Sequence, residues 1–250
     1  MIDLNGKVML ITGGSRGIGA ATGLLAARAG ADVAIVFQRN VREARRIEKA
    51  IQEEGGRSRC YKADVSSRSD VRKTVRAVVK DFGRIDILVN SAGIWTSGSL
   101  GSMKESVWDQ TIDINLKGTW LLCNEVFPHM KRHGGKIINI ASTAGQRGEA
   151  FHSHYAASKG GVIAFTRSIA VELAPYNVQV NCVSPGWVDT DMVEGALRGR
   201  SVRRDIERAI PRRRVATAEE VAGPILFLAS SLSDHMIGSV VSVNGGSVMA

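Results

Sequence analysis

Six short runs of apolar, largely β-branched residues, at 8–11, 33–37, 85–89, 137–140, 178–183 and 240–243, punctuate the 250-residue chain. A strand alternates its side chains between two faces, so a run that is apolar at nearly every position demands burial on both. Between these runs the apolar residues recur at helical spacing. Val71, Val75, Val78 and Val79, set among Arg72, Lys73, Arg76 and Lys80, are one example. Strand, helix and strand in succession put parallel neighbours in one sheet and helices over it. The spacing therefore predicts an α/β fold: a doubly wound parallel sheet of about seven strands with helices on both faces, a weaker run at 57–63 supplying the seventh.

No linker, fixed-period repeat or shift in composition divides the chain, so residues 1–250 read as a single domain. An apolar fraction of 44% with only 5 prolines supplies a core and excludes a disordered chain. Cys60, Cys123 and Cys182 are odd in number and far apart, which fits neither a disulfide framework nor a zinc site. No signal-peptide pattern and no bilayer-length apolar run is present, so the expectation is a cytoplasmic protein with no membrane partner. The net charge of +9 raises the question of anionic partners without bearing on fold.

The first apolar run leads into Thr12-Gly13-Gly14-Ser15-Arg16-Gly17-Ile18-Gly19 and then an alanine-rich helical run at 20–29. Glycines there allow positive φ and close approach to a pyrophosphate, whose charge a helix N-terminus stabilises with its free amides. No Lys-Ser or Lys-Thr pair follows the last glycine, which excludes a phosphate-transfer loop. What remains is the opening unit of a Rossmann-type dinucleotide fold. An acidic residue at the end of the second strand would hold the ribose 2′-hydroxyl of NAD, but Phe37 stands there, followed by Gln38 and Arg39. Arg39 and Arg16 instead offer paired hydrogen bonds to a 2′-phosphate, so the expected cofactor is NADP(H) rather than NAD(H).

Tyr155 and Lys159 lie four residues apart in a helical run that reaches Leu173, and so share one face. An ammonium one turn away favours the phenolate, which predicts an acidified phenol usable in proton transfer nearer neutrality. Ser142 follows the end of a strand, where open α/β sheets bind their ligands. Asn115 opposes helix propensity within a helical run, which points either to a specific hydrogen-bonding task or to a buried structural amide. His152 and His154 invite a metal reading, but no third ligand accompanies them, so no metal is expected and both are placed beside the substrate.

Together these residues resemble the short-chain dehydrogenase/reductase family over essentially the whole chain. The glycine turn is similar to the family's Thr-Gly-x3-Gly-x-Gly, which implies cofactor contacts from Gly13, Ser15, Arg16, Gly17, Ile18 and Gly19. Asp64, with Val65, matches the adenine contact. Asn90-Ser91-Ala92-Gly93 resembles Asn-Asn-Ala-Gly with Ser91 in place of the second Asn, bringing in Asn90, Ala92 and Gly93. Pro185, Gly186, Val188 and Thr190 fall where the family surrounds the nicotinamide. Asn115, Ser142, Tyr155 and Lys159 match its catalytic residues. The resemblance implies hydride transfer to a carbonyl, with Ser142 donating to the carbonyl oxygen and Tyr155 protonating it. Lys159 would also hold the nicotinamide ribose, and Asn115 a water that returns the proton. It further implies a homotetramer.

Within the family the pattern is most similar to the 3-oxoacyl-carrier-protein reductases, through Pro185-Gly186-Trp187-Val188-Asp189-Thr190 and the run at 218–222. That implies a 3-oxoacyl thioester carried on acyl carrier protein or CoA. Tyr176 and Asn244 depart from the pattern, standing where those reductases often have a basic residue and an Asp. The pocket is expected to be lined by the loop 94–102, His152, His154, Trp187 and a mobile substrate-side insertion at about 189–215. Eight arginines between 198 and 214, with Lys131-Arg132-His133, either attract an acidic carrier or form a solvated face. The alternative substrate is a sugar, steroid or other small secondary alcohol. Nucleic-acid binding through the arginines lacks any recognition motif and is set aside.

Overall fold

A computed structural model describes residues 2–249. Seven parallel strands form one sheet in the order β3-β2-β1-β4-β5-β6-β7. They are β1 Val8–Thr12, β2 Asp32–Phe37, β3 Ser58–Lys62, β4 Ile87–Asn90, β5 Gly135–Ile140, β6 Val178–Pro185 and β7 Val240–Val243. The central strands are buried along their length, as their unbroken apolar runs require. The edge strands β3 and β7 are only partly covered, which is why the run at 57–63 reads weakly.

The period of two along each strand builds two cores. Met9 and Ile11 of β1, Val33 and Ile35 of β2, and Ile87 and Val89 of β4 face one side. There they pack against α1 (Gly17–Arg28), α2 (Val41–Glu53) and α9 (Ala218–Ala229), chiefly through Ala26, Ile47, Ile51, Val221 and Ile225. Leu10, Ala34, Val36 and Leu88 face the other. They meet α3 (Arg68–Phe82), α5 (Gly118–Met130) and α7 (Ser153–Leu173) through Val71, Val75, Val78, Leu121, Leu122, Val126 and Ile169. The helices thus cover both faces of the sheet, and the strand order reverses between β1 and β4, the point above which such sheets bind ligands.

Two features depart from simple helix expectations. Between α4 (Glu105–Ile112) and α5 the chain makes a π-helical turn over Asp113–Lys117, centred on Asn115. The insertion contains α8 (Arg200–Ala209), which has no fully buried residue and rests on a small cluster of Leu197, Ile210 and Val215. Among the described residues no helix is long and apolar enough to cross a membrane.

Candidate active site

The glycine turn leaves β1 and enters α1 directly over the β1/β4 switch point. Gly13 has φ +67°, and a Cβ there would lie 2.9 Å from the Ala92 backbone, so no side chain fits. The same approach is fixed from the other side by Thr12, whose Oγ1 accepts hydrogen bonds from Ser91 N and Ala92 N, both at 3.1 Å. The α1 N-terminus has no side-chain cap and no acidic residue in its first turn. Bare amides, no competing carboxylate and a backbone cradle fit a dinucleotide pyrophosphate, with Gly13, Ser15, Gly17, Ile18 and Gly19 around it.

At the adenine end, Phe37 closes β2 and is buried, while Gln38 and Arg39 are exposed. Asp64 accepts from Gln38 Nε2 at 2.8 Å, and from Ser66 N and Oγ at 2.9 and 2.6 Å. Burial pushes its carboxyl up, but the Ser66 and Gln38 hydrogen bonds and the Arg39 charge outweigh that and hold it below the usual carboxylate range. Val65 is buried beside it. Arg39 has no ion pair among the described residues. Arg16 reaches across the groove to Asp191 at 3.3 Å, in a pair exposed on both sides. Asn90 turns its side chain inward, donating to Asn139 Oδ1 at 2.9 Å, so only its backbone is available to a ligand.

Ser142, Tyr155 and Lys159 meet in one cleft of about 120 Å³. Ile18, Gly93, Pro185, Gly186, Val188 and Thr190 line it too, so the expected nicotinamide-side and catalytic residues share a space. Ser142 ends β5's extension and opens α6 (Thr143–Arg147), its Oγ accepting from Ala144 N at 3.1 Å. Lys159 is buried and donates to Ile140 O at 2.7 Å, which fixes its ammonium 5.9 Å from the centre of the Tyr155 ring.

The expected acidified phenol is not what the site holds. Burial pushes the Tyr155 phenol up to about 12; the Ser142 hydroxyl pulls the other way without offsetting it, and Glu149's charge adds to the rise. Burial also lowers Lys159 to about 8. Removal from water raises an acid that ionises to an anion and lowers a cationic one.

Asn115 does not line the cleft: it is fully buried, donating to Ile94 O (3.0 Å) and Ser158 Oγ (3.1 Å) and accepting from Ile94 N (2.8 Å). Its amide ties the loop after β4 to the catalytic helix, and its Oδ1 stands, like Lys159 Nζ, close to Gly93. Two residues differ from expectation. His154 is also fully buried, its Nε2 3.0 Å from Thr96 Oγ1, and burial lowers its pKa. His152 lies behind Trp95 instead of on the cleft wall, the rings stacked at 4.4 Å. Trp187 does line the cleft, as does Trp95 of the loop 94–102; Arg147 and Glu149 line it too, and sequence patterns did not single these two out because they sit in a short helix and a loop without periodicity. Among the described residues no three His, Cys, Asp or Glu side chains stand together as a metal site.

A family model described as enoyl-(acyl carrier protein) reductase matches residues 13–248. The chain is 41% identical to the 3-oxoacyl-(acyl-carrier-protein) reductase of Thermotoga maritima, over 98% of this chain and 99% of that one. It is 39% identical to the enzyme of the same name from Synechocystis, over the full length of both. The crystal structure of levodione reductase superposes with a TM-score of 0.92 at 34% identity, covering 97% of this chain and 98% of that one. With the switch-point cradle and the Ser142, Tyr155 and Lys159 cleft, these likenesses place the chain in the short-chain dehydrogenase/reductase family, as an NAD(P)-dependent oxidoreductase acting on CH–OH or C=O groups.

Proposed function

We propose that this oxidoreductase is an NADPH-dependent reductase of a 3-oxoacyl thioester, on acyl carrier protein or CoA, forming the 3-hydroxyacyl product. The observation that supports it is the convergence of Ser142, Tyr155 and Lys159 in one cleft beside the phosphate cradle, in a chain similar end to end to 3-oxoacyl-(acyl-carrier-protein) reductases. When bound, the reduced nicotinamide supplies the hydride that the carbonyl carbon receives. Ser142 donates a hydrogen bond to the carbonyl oxygen, and Tyr155 passes its phenolic proton to that oxygen as negative charge develops. A phenol held at about 12 carries its proton at neutral pH, the state a reductase needs. The Lys159 ammonium stabilises the phenolate left behind and binds the ribose hydroxyls, and solvent restores the proton. Asn115 holds the Ile94 loop in place.

NADPH rather than NADH is supported by Arg39, just past a β2 end that lacks a carboxylate, and by Arg16 in the glycine turn. A second substrate class, a small secondary alcohol or its ketone, is favoured by the two tryptophans that wall the cleft. A panel of acetoacetyl-CoA, 3-oxoacyl-carrier proteins and cyclic and linear ketones, each with NADPH and NADH, separates the two. The thioesters are expected to be turned over faster than any ketone, and with NADPH; a preference for ketones overturns the thioester assignment. Tyr155→Phe is expected to abolish turnover while NADPH binding, followed by nucleotide fluorescence, stays within about twofold. The assembly is proposed to be a cytoplasmic homotetramer, which light scattering tests.

A further inference from the structure

Trp187 stands between two spaces. On one side is the catalytic cleft; on the other is a groove of about 360 Å³ beneath α8, walled by Val202, Ile206, Ala209 and Ile210 with Asp205 and Ser247. Arg147 is the other residue that borders both. The indole of Trp187 meets Trp95 edge-on, with ring centres 5.9 Å apart at 78°. Trp95 is itself fixed: His152 stacks on its face at 4.4 Å and 6°, and its Nε1 donates to Glu149 at 3.3 Å. On its far side Trp187 packs with Val193 and Ile206 against the cluster of Leu197, Ile210 and Val215. A large ring held on both sides cannot swing aside without forfeiting those contacts.

We propose that Trp187 is a partition that confines the substrate to the catalytic cleft, so that the enzyme favours carbonyl compounds with short substituents. The apolar groove beneath α8 is then the space a longer acyl or alkyl chain enters when the ring is reduced. His152 and Glu149 are positioning residues that act through Trp95. This rests on the proposed carbonyl reduction and narrows its substrate class.

The test is the ratio of kcat/KM for a long substrate over a short one, measured with NADPH. Two pairs are used, 3-oxododecanoyl-CoA against acetoacetyl-CoA and octan-2-one against butan-2-one; the second pair needs no thioester. Trp187→Ala is expected to raise the ratio by about tenfold or more, the scale of discrimination that one methylene brings in an apolar pocket. Trp187→Leu, which keeps an apolar side chain for folding, raises it less. Adding Ala209→Trp to Trp187→Ala refills the groove and returns the ratio towards wild type. His152→Ala frees Trp95 and gives a smaller rise in the same direction, without moving the KM for NADPH. An unchanged ratio in folded Trp187→Ala and Trp187→Leu overturns the partition, as does a wild-type enzyme that already prefers the long member of either pair. Ketone ratios that shift while neither thioester is reduced sustain the partition and overturn the thioester assignment instead.

Discussion

Lys159 concentrates the cost of this site in one side chain. Its ammonium is buried with a carbonyl, Ile140 O, for a partner and no carboxylate among the described residues. Burial depresses it from an ordinary 10.5 to about 8, which corresponds to about 3 kcal/mol of folding stability forgone. The sign follows from proton counting. Below pH 8 both states are protonated and the penalty is complete; between pH 8 and 10.5 only the unfolded chain holds the proton, so the native state gains stability as pH rises. Lys159→Met is therefore expected to be inactive yet more resistant to urea than wild type at pH 7, with the difference shrinking from pH 8 upward. Equal midpoints at pH 7 would show the ammonium is better solvated than its surroundings indicate. Arg39 carries a different expectation. Its guanidinium has no ion pair among the described residues, and a charged hydrogen bond contributes about 1.5–3 kcal/mol, so Arg39→Ala should cut the NADPH-over-NADH preference by at least about tenfold. Arg16, engaged with Asp191 in an exposed pair that is weak in water, is free to exchange partners when a phosphate arrives.

Helix α6 is five residues long, yet it decides where Ser142 stands. Gly145 lets it lie directly on the catalytic helix: a Cβ there would fall 2.5 Å from the Lys159 carbonyl carbon and 2.6 Å from Gly160 N. Both are backbone atoms of α7 and neither can rotate away. Gly145→Ala is expected to push Ser142 off the Tyr155 hydroxyl and lower kcat by about a hundredfold, the usual effect of a misplacement near 1 Å. Gly223→Ala in α9, where nothing lies within 4 Å, serves as the control and should be as active as wild type. The same scale separates what the sequence discloses from what it hides. Strands, glycine turn and catalytic helix are legible because burial on two faces, positive φ and a shared helical face each impose a residue pattern. The π-helical turn is not, since Asp113-Ile114-Asn115-Leu116-Lys117 suits an ordinary helix, and the ties from Asn115 to Ile94 and Ser158 that accompany the wider winding exist only in the packed fold. The acidity of Tyr155 misleads for a related reason: a neighbouring charge is visible in sequence, whereas depth of burial is a property of the packed fold.

For the whole molecule the relevant quantity is the field at the mouth of the cleft. The net charge is +9, and residues 198–214, which include α8, hold eight arginines against Asp205 and Glu207; α8 has no fully buried residue. Part of that charge is neutralised locally, by Arg198–Glu194, Arg203–Asp189, Arg208–Asp205 and Arg214–Glu220. Arg200, Arg204 and Arg212 have no ion pair among the described residues, nor does Arg147 at the cleft itself. Uncompensated cationic charge on this exposed segment and at Arg147 attracts a polyanion such as CoA or an acidic carrier and leaves a neutral ketone indifferent. Exposed charges are screened over about 10 Å at 0.1 M salt, so the attraction has a measurable signature. At saturating NADPH, kcat/KM for acetoacetyl-CoA is expected to fall several-fold as salt rises from about 0.05 to 0.5 M, while that for butan-2-one stays within about twofold. Arg200→Glu with Arg204→Glu should flatten the thioester slope and leave the ketone slope alone. Parallel slopes for the two substrates would mean that these arginines serve solubility rather than substrate capture, and that the acyl group alone is recognised.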